Sequence, residues 1–442
     1  MERKNPDRAR TGWKAFVVPL AGLCTSLLVV IVLWRTQALV DSRPDPYLFS
    51  AMGEALVRGE GFTNFGSLLH RRTPGYPLFI AALYSVFGIR VVAVQLAQCL
   101  LFTGTCWLAQ DIGARIYSAR VGLFAGLLCA VHPSLLRYVP DLHLETLLTF
   151  LFTLSVWLSC RFYEKPTSQR GAALGIVWGL ASLTKAVVLL YPAVYAALWW
   201  LSRRAESRAG GVLTPAEPPG AERPKRLRAL LPILIALGCM GLTISPWTIR
   251  NYVVTQHFVP ITTGLSDAVL RSYVFSRTEF ITLRQPPYSV AEEEVNAQFR
   301  ALCARQGAIW EADDLQTEKI LAVEAKRRVL SAPLAFVKKT LIGLFTFWYQ
   351  MTSLTNSLAA GAMALLAWAF AAIGLGRSWH ERQPVWLVLA PIVYLNLFLA
   401  ALLSLGRYSV PVLPCLLVLA AFGLDSVWRR FRGRASGRAH AA

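Results

Sequence analysis

The sequence predicts an all-α integral membrane protein, and three observations carry that prediction. Of 442 residues, 55% are hydrophobic and only 16% charged, for a mean hydropathy of +0.46, well outside the range of soluble domains. Several apolar runs are long enough to cross about 30 Å of hydrocarbon at about 1.5 Å per residue. The basic residues behind a net charge of +20 fall in short loops between those runs, which reads as a topology signal and not as a nucleic-acid surface. Backbone in lipid must satisfy its own hydrogen bonds, so the spans are helices.

Taken in order, the runs are Phe16 to Trp34, Val91 to Gln110, Val121 to Val139, Leu142 to Tyr163, Leu230 to Trp247, Leu358 to Gly376, Val385 to Leu405 and Tyr408 to Trp428. The basic opening Met1 to Lys14 precedes a run with no small-x-small cleavage site, so the first helix reads as retained. Loops rich in Arg and Lys, at 115–120, 161–170, 203–228, 377–382 and 429–438, read as cytoplasmic. Parity between these loops makes Gly171 to Leu201 a hairpin with Lys185 near its outer tip, Tyr76 to Phe87 interfacial, and Leu341 to Thr352 interfacial or re-entrant. The total is about ten spans with both ends inside.

This divides the chain into a transmembrane module at 1–202 with a first outer loop at 37–90, and a basic linker at 203–228. A helix at 229–249, an exported helical segment at 250–340, a second transmembrane module at 341–428 and a basic tail at 429–442 complete it. In the exported segment Val295, Phe299, Leu302 and Cys303 repeat at helical spacing. Six of the eight cysteines lie inside apolar runs and Cys160 ends one, and no spacing suggests a disulfide framework or a zinc site.

Ionisable residues gather on the predicted outer face. The first loop supplies Asp41, Asp45, Arg71 and Arg72; the turn before the fourth span supplies Asp141, His143 and Glu145; the hairpin tip supplies Lys185; and Arg407 opens the last span. Charges at a membrane boundary are expensive and point to function. A carboxylate can take the proton of an attacking hydroxyl, and Arg or Lys can stabilise a leaving phosphate. That chemistry suits sugar transfer from a lipid phosphate.

Here the chain resembles a known family. Asp45-x-Tyr47, Ala51, Leu56, Gly59-x-Gly61 and Arg72-Thr73-Pro74-Gly75-Tyr76-Pro77 are similar to the first-loop signature of the GT-C glycosyltransferases related to family 39, the protein mannosyltransferase and aminoarabinose transferase group. His132-Pro133 with Leu144-Glu145-Thr146, Leu183-Thr184-Lys185, Ser245 to Tyr252 and Arg407-Tyr408-x-x-Pro411-x-x-Pro414 also fit. The resemblance implies a GT-C-like helical bundle and a polyprenyl-phosphate sugar as donor. It further implies an inverting transfer of a hexose or pentose to a lipid, glycan or protein acceptor on the external face of a bacterial-type plasma membrane. It makes Asp45 the catalytic base and Glu145 the second acid, while Arg72, Lys185 and Arg407 are assigned to the donor phosphate by their charge and position. Two carboxylates without a third ligand argue against a divalent metal, and no other cofactor is expected. Thr73 stands where the family's element has its first Pro.

Each residue also has a plainer reading. Asp45 or Asp141 would serve as an N-cap, Glu145 as a first-turn acid favoured by the helix dipole, and Arg72 or Arg407 as an interfacial anchor. A transporter or flippase of a lipid-linked sugar is the rival function, and it calls for repeated halves and charges at the bilayer midplane.

Overall fold

The computed structural model describes residues 14–34, 44–64, 67–68, 72–208, 226–277, 288–310, 314–351 and 353–439. It is a helical bundle. Along the chain run α1 (Lys14–Trp34), α2 (Pro44–Val57), α3 (Gly75–Phe87), α4 (Val91–Ile116), α5 (Ala119–Val131), α6 (Pro133–Leu136), α7 (Glu145–Glu164), α8 (Ser168–Thr184), α9 (Tyr191–Arg208) and α10 (Arg226–Thr255). They are followed by α11 (Leu265–Phe275), α12 (Tyr288–Ala304), α13 (Asp314–Ser331), α14 (Pro333–Tyr349), α15 (Leu354–His380), α16 (Trp386–Ala401) and α17 (Leu413–Ala439). Among the described residues the strands are confined to one antiparallel pair between α2 and α3, Thr63–Asn64 against Ser67–Leu68.

Among the described residues six stretches are long and apolar enough to cross a membrane: Val91–Ile116, Glu145–Glu164, Ala186–Ala205, Leu230–Thr255, Leu354–His380 and Gly406–Arg432. A seventh arises if α13 and α14, which meet at a bend of 100°, are taken together. Several boundaries differ from the sequence reading. The run expected from Val121 to Val139 stops being helical at Val131, because His132 precedes Pro133 and is held extended at φ −74, ψ 116. At 13 residues α5 covers only about 20 Å. The segment expected at Leu341 to Thr352 begins earlier, at Pro333, with proline in the first turn where its missing N–H costs nothing.

Glycine sets the closest helix contacts. In α8, Gly171, Gly175 and Gly179 recur every fourth residue and face α10; a Cβ on them would stand 2.2 Å from the Pro232 carbonyl oxygen, 2.0 Å from that of Ala236 and 2.5 Å from Thr243. Without a hydrophobic drive between helices in lipid, such small-residue stripes are what let backbones meet. Gly374 of α15 and Gly423 of α17 form a second such contact. Helix α17 is the hub, buried on nearly every side between α4, α5, α15 and α16.

The two ends of the bundle differ chemically. At one end the arginines of the basic loops hold the helices together: Arg115 pairs with Asp111 at 2.6 Å and Glu164 at 3.2 Å, and the fully buried Asp425 receives Arg120 at 3.5 Å and Arg429 at 2.7 Å. At the other end α11, α12 and α13 enclose a small second core of Leu270, Val274, Val295, Phe299 and Leu321, into which Leu403 and Leu405 reach from the segment after α16. Of the helical repeat expected at Val295, Phe299, Leu302 and Cys303, Leu302 is partly buried and the other three form the buried face of α12.

Candidate active site

The end of the bundle opposite the arginine-laced loops is built from four chain breaks. The first lies between α2 and α3. Phe49 of α2 packs edge-on against Tyr76 of α3 with centroids 5.1 Å apart, Ser50 shares a 2.9 Å hydrogen bond with the Tyr84 hydroxyl, and Gly53 admits Ile80. Helix α2 is described from Pro44, so Asp45 stands in its first described turn, one turn before Phe49. The Asp45 side chain, Asp41 and Arg71 lie outside the described residues. The Arg72 guanidinium lies 5.8 Å from the Phe49 ring centroid.

The second break is the turn from His132 to Leu144. Two amides on α4, Gln95 and Gln98, staple it: Gln95 Nε2 donates to the Pro140 carbonyl at 2.8 Å, and Gln98 Nε2 donates to the carbonyls of Val139 at 2.8 Å and Asp141 at 2.9 Å. Gln98 Oε1 in turn accepts from the Tyr76 hydroxyl at 2.9 Å, so the first loop and this turn share one buried network. Asp141 does not cap α7; the N-cap position is Leu144, whose side chain offers no cap. Glu145 opens the helix and is 3% exposed. Burial pushes the Tyr76 and Tyr138 hydroxyls well up, and the nearby Glu145 and Asp141 carboxylates push the same way. His132 is held down at about 4 by burial.

The third break is the hairpin tip. Helix α8 ends at Thr184, Lys185 is extended at φ −152, ψ 116, and a 3-10 turn over Ala186–Leu190 leads into α9. The fourth separates α16 from α17, where Gly406 donates its N–H to the Gln350 carbonyl at 2.6 Å and a 3-10 turn over Gly406–Val412 follows. This break delivers Arg407 and Tyr408. Arg407 Nε lies 4.0 Å from Glu145 Oε1, while Lys185 Nζ sits 3.6 Å from the centroid of the Tyr408 ring. Thr73 Oγ1 donates to the Thr184 carbonyl at 2.7 Å, which seats the first loop on the hairpin tip.

Glu145, Lys185 and Arg407, singled out on different parts of the sequence, therefore meet, with Arg72 one residue from the Thr73 contact. Tyr408, Tyr138, Gln95 and Gln98 join them without having been assigned a role. Two buried amides three residues apart in the apolar run of α4 were the available signal, since polar groups within a span are rarely idle. Among the described residues no three His, Cys, Asp or Glu side chains cluster at metal-binding spacing.

Residues 71–210 match the family described as dolichyl-phosphate-mannose-protein mannosyltransferase, a stretch that takes in Arg72, Glu145 and Lys185. No curated protein matches the chain. Among solved structures, the apo oligosaccharyltransferase of Archaeoglobus fulgidus aligns with a TM-score of 0.58 at 14% identity, covering 98% of this chain and 52% of that one. The chain thus spans about half the length of that enzyme. ArnT from Cupriavidus metallidurans, solved with undecaprenyl phosphate, aligns with a TM-score of 0.40 at 12% identity over 92% of this chain and 78% of its own. This multi-pass membrane protein therefore has the GT-C fold, and its N-terminal half carries the match to the mannosyltransferase family.

Proposed function

We propose that the protein is a membrane glycosyltransferase that moves a hexose or pentose from a polyprenyl-phosphate carrier to an acceptor hydroxyl on a lipid, glycan or protein. The observation that carries this reading is the meeting of Glu145, Arg407 and Lys185 at the end of the bundle opposite the arginine-laced loops. By the positive-inside rule that end is external, in a bacterial-type plasma membrane. The dolichyl-phosphate donor in the matched family's description supports the same class of carrier.

In this reading the acceptor hydroxyl gives its proton to the Asp45 carboxylate as its oxygen attacks the anomeric carbon. The bond from that carbon to the phosphate oxygen breaks, and the electron pair leaves on the phosphate. The charge developing there is met by Arg72, Lys185 and Arg407 in a setting drier than bulk water, where fixed cations act most strongly. Glu145, with one oxygen facing Arg407, orients the acceptor and that guanidinium. A single displacement of this kind inverts the anomeric centre.

The test is intact-mass analysis of envelope lipids and glycans from cells that carry the wild-type protein, lack it, or carry Asp45→Asn. Asparagine is nearly isosteric and caps a helix as well as aspartate does, but it takes no proton. Loss of the base lowers turnover by roughly 10² to 10⁴-fold, so the deletion and Asp45→Asn should both lack the same sugar unit and accumulate the lipid-linked donor. Identical profiles in all three strains would overturn the reading.

A further inference from the structure

A helix leaves its last carbonyls without intrahelical partners, and those at a buried end must be satisfied from elsewhere. At the end of α8 the Lys185 N–H bonds back to the Ala181 carbonyl at 2.9 Å, and the Thr184 hydroxyl bonds back to the Leu180 carbonyl at 2.9 Å. The Thr184 carbonyl takes its hydrogen bond from the Thr73 hydroxyl at 2.7 Å, a group 111 residues earlier in the chain. Two residues further on, Gly75 lies flush against the same helix end: a Cβ there would stand 2.7 Å from the Thr184 nitrogen and 2.8 Å from the Leu183 carbonyl carbon. The loop is therefore seated on the tip by one directional bond beside one close backbone contact.

The neighbours of this bond give it meaning. Arg72 directly precedes Thr73, and Lys185 directly follows Thr184. This hydrogen bond, beside the Gly75 contact, thus ties together the two backbone segments that carry these cations. Lys185 is fixed again at its far end, where its ammonium rests on the Tyr408 ring. Proline, which the resembled element has at this position, offers no hydroxyl and makes no such bond.

We infer that Thr73 is a positioning residue whose hydroxyl locks the first outer loop onto the hairpin tip, so that Arg72 and Lys185 close on the same phosphate of a polyprenyl-phosphate donor. This rests on the glycosyltransferase reading above, and adds to it the element that sets the spacing of the phosphate clamp. The prediction is specific to donor affinity: breaking the latch lets the two cations separate and weakens the lipid phosphate.

The experiment measures binding of undecaprenyl phosphate to the full-length protein in nanodiscs for the wild type, Thr73→Val, Thr73→Ser and Thr73→Pro, each also in a Lys185→Gln background. Loss of a neutral hydrogen bond corresponds to roughly 2- to 12-fold weaker binding. Thr73→Val and Thr73→Pro should both show it, while Thr73→Ser, which keeps the donor, restores the wild-type affinity. In the Lys185→Gln background the effect of Thr73→Val should vanish, because the cation it positions is gone. If Thr73→Val does not fold, Thr73→Pro against Thr73→Ser carries the comparison. Wild-type affinity in Thr73→Val or Thr73→Pro, or an undiminished effect in the Lys185→Gln background, overturns the latch and leaves the donor reading standing. No binding of undecaprenyl phosphate by the wild type overturns the donor reading itself.

Discussion

Removing Arg407 should cost far more stability than removing its partner Glu145, and the two losses should not add. Glu145 is 3% exposed, and its Oε2 has no hydrogen-bond partner among the described residues. The Arg407 side chain is 28% exposed and stands at 4.0 Å. Two unit charges at that separation attract by about 4 kcal/mol at an effective dielectric of about 20. Water reaching the arginine roughly halves this, to a coupling of about 2 kcal/mol. Arg407→Gln leaves a carboxylate buried without its counter-charge, a loss at the lower end of the range for broken buried pairs, about 3 kcal/mol. Glu145→Gln leaves an arginine that rehydrates and keeps its place over the Tyr408 ring, so it should cost only about 1 kcal/mol. The double variant should then cost about 2 kcal/mol, less than Arg407→Gln alone. Unfolding in mixed detergent micelles, followed by tryptophan fluorescence, measures all four proteins. Costs that simply add would show that the pair does not interact across the site, and would leave Arg407 as an anchor of the last helix.

Two further outcomes follow from the same geometry. Tyr408→Phe keeps the ring under Lys185 and should retain donor-lipid affinity, whereas Tyr408→Leu removes it and should lose about 0.5 to 2 kcal/mol of binding; equal affinities in the two variants would show that the ring does not hold the ammonium. His132, in the turn outside the spans, is held neutral down to about 4 against an ordinary 6.5, so the unfolded chain takes up its proton first as pH falls. The stability tied to its neutral form is whole above about 6.5 and is lost as pH falls to about 4, by no more than about 3 kcal/mol. His132→Gln should flatten that part of the unfolding profile, and an unchanged slope would refute the assignment.

The architecture was legible where a single chemical rule governs it. Lys185 between two short apolar arms marks a turn because a charge in lipid is costly, and the structure ends α8 at that residue. Arg407 and Glu145 were legible as charges at the ends of apolar runs, although their proximity was not, since it depends on how α7 and α17 pack. The halt of α5 at Val131 is written in His132-Pro133, although the apolar run that masks it continues past that pair. The glycine stripe of α8 was also readable from its spacing. The latch at Thr73 was not, for a hydroxyl in a loop gives no hint of a partner 111 residues away. Asp45 keeps its proposed role on the strength of its motif and its place in the first described turn of α2.

The central position of α17 has a consequence for biogenesis. It is synthesised after every other span described, yet α4, α5, α15 and α16 pack around it, so the earlier helices enter the bilayer with their mutual contacts around an axis still missing. The segment that brings Arg407 to Glu145 arrives with that axis. The Arg407–Glu145 pair thus forms only when this helix docks, and a ribosome stalled before residue 406 would leave a nascent bundle without its central helix and an acid without its guanidinium. Quality control in the membrane would have one event to read, the docking of a single helix, for both the packing of the described bundle and the pairing of Glu145 with Arg407.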